Sequence, residues 1–246
     1  MTLIVGVKCS DGVVIGADSA ATLGSGGQQT VKEVVTKLEI IKDTLILGVS
    51  GPVGLAQRYA GEIGALSSNE LQTLGRLRGH EIGVEISKKL WMHAQPEYER
   101  AGQVAQAVRN NAPLLNAHHQ TVVAIRGSGE DRLFQFSETC APEESTVDLP
   151  YVSIGSGQAN ADPFLSFLRR VFWPQGTHLN VSQGIFISLW SLTQTIRSSP
   201  GGVAFPIVMA VLQNGQARML PEAEMDEHKQ AIEEAEKALH NFGQNL

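Results

Sequence analysis

The sequence predicts an α+β fold in which antiparallel sheets are covered by pairs of helices. Three observations predict it. Apolar runs of strand length come in pairs joined by short polar turns, the pattern of hairpins. Runs of strands alternate with pairs of helices, unlike the strand–helix–strand rhythm of a parallel sheet. The runs also do not alternate polar with apolar, so both faces of each sheet are covered.

LIVGV (3–7) leads through Ser10-Asp11-Gly12 into VVIGA (13–17), and LEII (38–41) leads through Lys42-Asp43 into TLILGVS (44–50). Gly51-Pro52 then opens a helix with Val53, Ala56, Ala60 and Ile63 three or four apart, and proline suits a first helical turn. A second helix runs from near Gly79 through Trp91 toward Tyr98. TVVAIRG (121–127) and RLFQF (132–136) flank a Gly-Ser-Gly-Glu-Asp turn. The strand YVSI (151–154) precedes Gly-Ser-Gly, and helices follow at about 159–172 and 181–197. VAFPIVMAVL (203–212), the turn Asn214-Gly215 and ARML (217–220) form the last hairpin, where Pro206 predicts an edge position or a bulge. From Pro221 a helix carries an apolar stripe of Ile232, Ala235, Leu239 and Phe242. No repeat or linker interrupts the chain, so residues 1–246 read as one domain, with 221–246 an acidic C-terminal helix.

With 42% hydrophobic and 18% charged residues, the composition is that of a globular protein, not a disordered one. The net charge of -6 argues against a nucleic-acid partner. From Glu222 onward there are seven carboxylates and two lysines, so the tail carries -5 of that charge. Two cysteines, Cys9 and Cys140, are too few for a disulfide framework. No signal-peptide pattern opens the chain and no segment approaches the ~18–20 apolar residues of a membrane span. A cytoplasmic protein without membrane contact is expected.

The chemistry centres on Thr2. A threonine hydroxyl is a weak nucleophile that needs an adjacent base, and a free N-terminal amine is one solution. With a pKa of roughly 7.7–8.0, that amine accepts and returns a proton near neutral pH. Removal of Met1 would expose it. Threonine is also favoured in strands, so Thr2 by itself reads first as an ordinary strand residue. Asp18 ends the second strand and Lys37 precedes the third; a hairpin brings Asp18 to the start of the first strand. A lysine held there by Asp18 stabilises an alkoxide and lowers the amine's pKa. The same pair also reads as a structural ion pair. Gly51, where a strand meets a helix N-terminus, reads as an oxyanion-hole donor or as a turn glycine.

TLIVGVKCSDGVVIGADS from Thr2, TKLEI with Lys37, GVSG ending in Gly51 and SIGSG with Ser156 together resemble the proteasome β-subunit pattern of the N-terminal-nucleophile hydrolases. The resemblance runs from residue 2 to about 220 and is most specific over the first 55 residues. Among bacterial forms it is more similar to the betaproteobacterial proteasome homologue than to the ancestral-β-subunit type, Anbu. It implies a four-layer αββα sandwich, with Thr2 as nucleophile and base and Asp18 with Lys37 as supporting pair. It further implies the Gly51 N–H as oxyanion donor and Ser156 as a neighbour of the amine. The family's pocket positions fall on Ala21, Val49 and Val53, implying a hydrophobic P1 residue, with Glu39 facing the same pocket. Stacked rings of two heptamers are implied, acting without cofactor or metal on unfolded proteins or peptides. An ATP-dependent unfoldase is a possible partner that no sequence feature indicates.

The chain departs from the family at IRSSPGGV. Arg197 and Pro200 stand where the family has an Asp and a Ser, and no acid occurs between Asp162 and Glu222. A guanidinium beside the amine would lower its pKa or repel its protonated form, with Ser198 or Ser199 offering a compensating hydroxyl. Two other readings therefore stand beside the peptidase: a ring with little activity, and an amidase for small-molecule amides. IGSGQANAD is excluded as a dinucleotide loop, having Asn160 in place of the third Gly and no acid ~20 residues on. His118 and His119 lack a third ligand and are expected to face solvent. Cys9 is expected in the core, and the tail helix is expected to be docked on the surface or to sit at a subunit seam.

Overall fold

The computed structural model describes residues 2–25, 28–146, 148–173, 177–198 and 202–245, with the backbone alone for the described residues between 22 and 32. The chain runs β1 (Ile4–Lys8), β2 (Val13–Asp18), β3 (Ala20–Ser25), β4 (Gln28–Val34), β5 (Leu38–Ile41) and β6 (Leu45–Ser50). Four helices follow, α1 (Val53–Ala65), α2 (Ser68–Leu74), α3 (Gly79–Val108) and α4 (Ala112–Ala117). Then come β7 (Gln120–Gly127), β8 (Glu130–Phe136), β9 (Pro142–Glu144) and β10 (Tyr151–Ile154). α5 (Gln158–Phe172), α6 (Val181–Ser198), β11 (Ile207–Gln213), β12 (Gln216–Met219) and α7 (Glu222–Gln244) complete it.

Two five-stranded antiparallel sheets, ordered β10-β1-β2-β11-β12 and β5-β6-β7-β8-β9, stack face to face. Ile4, Ile15, Ile46, Val122, Leu133 and Val152 fill the space between them. Outside the first sheet, Val5, Val7 and Met209 pack under Leu165, Ile185 and Trp190 of α5 and α6. Outside the second, Leu47, Val123 and Phe134 pack under Tyr59 of α1 and Ile86 of α3. Every residue of β2 is buried, as its unbroken apolar run requires of a strand covered on both faces. The architecture is the αββα sandwich.

Several expectations are corrected. The β3–β4 hairpin and the short β9, α2 and α4 were not foreseen. α3 continues past Tyr98 to Val108 with Pro96 in its interior. The buried face of α1 is Leu55, Tyr59 and Ile63; Val53, on the presumed core stripe, is 61% exposed. Pro206 lies before β11 rather than within it, and β11 is paired on both sides, by β2 and β12, so it is not an edge. The tail stripe is only half covered: Ile232 is buried, whereas Leu239 and Phe242 are exposed.

Candidate active site

The β1–β2 register brings Ala17 opposite Ile4, which carries Asp18 to the residue after Thr2. The Asp18 carboxylate is fully buried. It accepts from Leu3 N at 2.8 Å, Ala20 N at 3.0 Å and Ala204 N at 3.2 Å. Lys37 Nζ makes an ion pair with it at 2.6 Å, with the lysine side chain only 8% exposed. Four donors on one buried carboxylate fix the start of β1, the β2–β3 turn and the lysine relative to one another.

On the other side, Thr2 N lies 3.2 Å from Ser156 Oγ, and Gly157 N donates to Thr2 O at 3.2 Å. The Gly-Ser-Gly turn packs so closely on Thr2 that a Cβ on Gly155, whose φ is +94°, would lie 2.2 Å from Thr2 O. These glycines serve contact with the chain's own N-terminal segment, which accounts for a motif that superficially resembles a nucleotide loop.

Gly51 joins β6 to α1 with φ +132°, and a Cβ there would fall 2.7 Å from His119 Cβ. His119 is buried, against the expectation that both histidines face solvent; His118 is the exposed one, pairing with Glu138. His119 Nδ1 lies 3.3 Å from Ala117 O, which can only accept, so the proton sits on Nδ1 and Nε2 accepts from Tyr59 OH at 2.8 Å. Burial holds the imidazole below its usual pKa and pushes the Tyr59 phenol well above its own. This neutral buried pair under the Gly51 turn was missed, since nothing in a His-His dipeptide says which ring points inward.

Thr2, Lys37 and Gly51 open onto one cavity of about 280 Å³, whose walls include Ala21, Val49, Val53 and Glu39. Arg197 is not among its lining residues. Instead its guanidinium contacts both Glu236 oxygens, at 3.1 and 3.2 Å, so the expected charge beside the amine is paired to α7. Ser198 Oγ lies 3.4 Å from Thr195 O of its own helix, while Ser199 and Pro200 lie outside the described residues. Cys9 is buried, and burial raises its thiol pKa to about 12.

The family model "Proteasome subunit" matches residues 2–109, the segment that carries Thr2, Asp18, Lys37 and Gly51. Over that segment, less than half of the chain, the sequence is similar to proteasome subunits. As a whole the chain is similar in fold to Anbu (ancestral β-subunit) from Yersinia bercovieri, at 15% identity and TM-score 0.68, covering 99% of this chain and 97% of that one. An Anbu mutant from Hyphomicrobium sp. strain MC1 gives 15% identity and TM-score 0.69, covering 100% and 98%. A helical assembly of the Anbu complex from Pseudomonas aeruginosa gives 16% and 0.68, covering 99% and 96%. At such identity the likeness is one of fold, and it does not decide between the Anbu and betaproteobacterial branches. No curated protein matches the chain. No helix among the described residues is long and apolar enough to cross a membrane.

Proposed function

We propose that the chain is a threonine-type endopeptidase of a homo-oligomeric ring, acting once Met1 is removed. What supports this reading is the convergence of Thr2, Lys37 and Gly51 on one cavity, with Asp18 anchoring both Leu3 N and Lys37. Thr2 Oγ attacks the scissile carbonyl while its α-amine takes the hydroxyl proton and passes it to the leaving amine. The ester so formed on Thr2 is then hydrolysed by water, with the amine again acting as base. The Lys37 ammonium stabilises developing charge at Thr2 Oγ, and the Gly51 N–H donates to the oxyanion. Ser156 Oγ, 3.2 Å from Thr2 N, orients the amine. The Arg197–Glu236 pairing weakens the case for an inert ring, because the replaced family Asp leaves no bare cation at the site.

Substrates are unfolded chains or peptides, and the assembly is a double ring of two heptamers. The test compares wild type with Thr2→Ala and Lys37→Ala on peptidyl and small acyl amides. Peptide cleavage abolished by both substitutions is expected. Hydrolysis of small amides alone would favour the amidase, and activity surviving Thr2→Ala would refute the mechanism.

A further inference from the structure

We propose that the cavity beside Thr2 selects a basic P1 residue, lysine or arginine, and that Glu39 determines this preference. The inference rests on the peptidase reading and names its substrate class.

Strand alternation places Lys37 and Glu39 on one face, and β5 pairs with β6 so that Glu39 sits opposite Leu47. Glu39, Leu47 and Val49 thus form a continuous surface, and all three line the cavity. Ala21, Val53 and Ala56 add small aliphatic groups to the walls, beside the polar Thr36 and Gln57, and the volume of about 280 Å³ has room for one long side chain. Of the two charged side chains lining it among the described residues, Lys37 is bonded to Asp18. Glu39 is different. Its side chain is exposed, and among the described residues its carboxylate has neither ion pair nor hydrogen bond.

A largely aliphatic wall that carries one exposed carboxylate matches a side chain with an apolar stem and a cationic head. The stem of a P1 lysine or arginine lies on Val49, Val53 and Ala56, and its charge meets Glu39. A purely apolar P1 residue fits the aliphatic wall but covers the carboxylate without a partner, which costs it affinity. An acidic P1 residue meets like charge. The proposal thus replaces the hydrophobic preference implied by Ala21, Val49 and Val53 with a preference for amphipathic, basic side chains.

The experiment uses the Met1-processed assembly and fluorogenic peptides identical except at P1: lysine, arginine, norleucine, leucine and glutamate. Norleucine matches the lysine stem without its charge. The ratio of kcat/KM for lysine over norleucine is expected to be about ten- to a hundredfold. Glu39→Gln is expected to bring this ratio close to one, and Glu39→Lys to favour glutamate over lysine. Labelling of Thr2 by an epoxyketone serves as a check that each variant is folded and competent. Norleucine or leucine cleaved as fast as lysine, with ratios unmoved by Glu39→Gln, would overturn the inference and leave the threonine peptidase standing. No cleavage of any peptide together with no labelling of Thr2 would instead overturn the peptidase reading, and the specificity with it.

Discussion

At the scale of single residues, the site is organised around groups that have no freedom to be otherwise. Asp18 takes three backbone N–H donors besides Lys37, so Asp18→Ala orphans three buried backbone donors and removes the carboxylate that pairs with Lys37. Its expected cost is about 3–5 kcal/mol, measured by denaturant unfolding. Lys37→Ala is expected to cost less, because the carboxylate keeps its backbone donors; the reverse order would contradict this account. Gly51→Ala combines a positive φ with a Cβ 2.7 Å from that of His119. A loss of about 1–3 kcal/mol is expected, together with a fall in kcat as the N–H turns from the cavity. His119 supplies a pH dependence of known sign. Its folded pKa is depressed from 6.5, so below that value the unfolded chain takes up a proton that the folded one refuses. Stability should therefore fall as pH drops from 7.5 toward 5.5, and His119→Gln should lose that component in parallel melts.

At the scale of elements, the tail helix gives the sharpest contrast. Ile232→Ala, in the core under α6, is expected to cost about 2–5 kcal/mol, whereas Leu239→Ala on the exposed end of the same stripe stays within about 0.5. Thermal melts of the two variants check this directly. The same helix shows why periodicity was only partly legible: it marks an apolar face but not how far the neighbouring element extends beneath it. On α1 the periodic set Val53-Ala56-Ala60-Ile63 mixed core with cavity wall, since both surfaces are apolar and lie on adjacent faces. Fully buried strands such as β2 were legible because burial on both faces leaves an unbroken apolar run. The β3–β4 hairpin was not, since its Gly-, Ser- and Gln-rich sequence has no such run. α2 was readable in principle: Ser67 and Glu70 form a reciprocal capping box, with Glu70 N 3.2 Å from Ser67 Oγ. The nearness of Asp18 and Lys37 to Thr2 could be expected from the hairpin, whereas the partner of Arg197 could not, because Glu236 lies far along the chain.

At the scale of the whole molecule, two sheets between helix layers bring the N-terminal strand, the β5–β6 hairpin and the 155–157 turn to one end of the sandwich. The outer helices leave apolar residues uncovered, among them Met92, Val104, Val108 and Leu115 on α3 and α4 and Phe242 on α7. Surfaces of this kind fit a chain that assembles with copies of itself. Native mass spectrometry should give a fourteen-subunit species; a monomer at micromolar concentration would contradict the ring.

The central claim is that Thr2 becomes the terminal nucleophile. An epoxyketone closes a ring only with a hydroxyl and an amine on the same terminal residue, so its adduct reports both groups together. The most direct measurement is the intact and peptide-mapped mass of the purified protein before and after epoxyketone treatment. The expected result is a protein lacking Met1, with one inhibitor per chain attached to Thr2. Protein that lacks Met1 yet carries no adduct at Thr2, or that cleaves peptides with Met1 still in place, would contradict it.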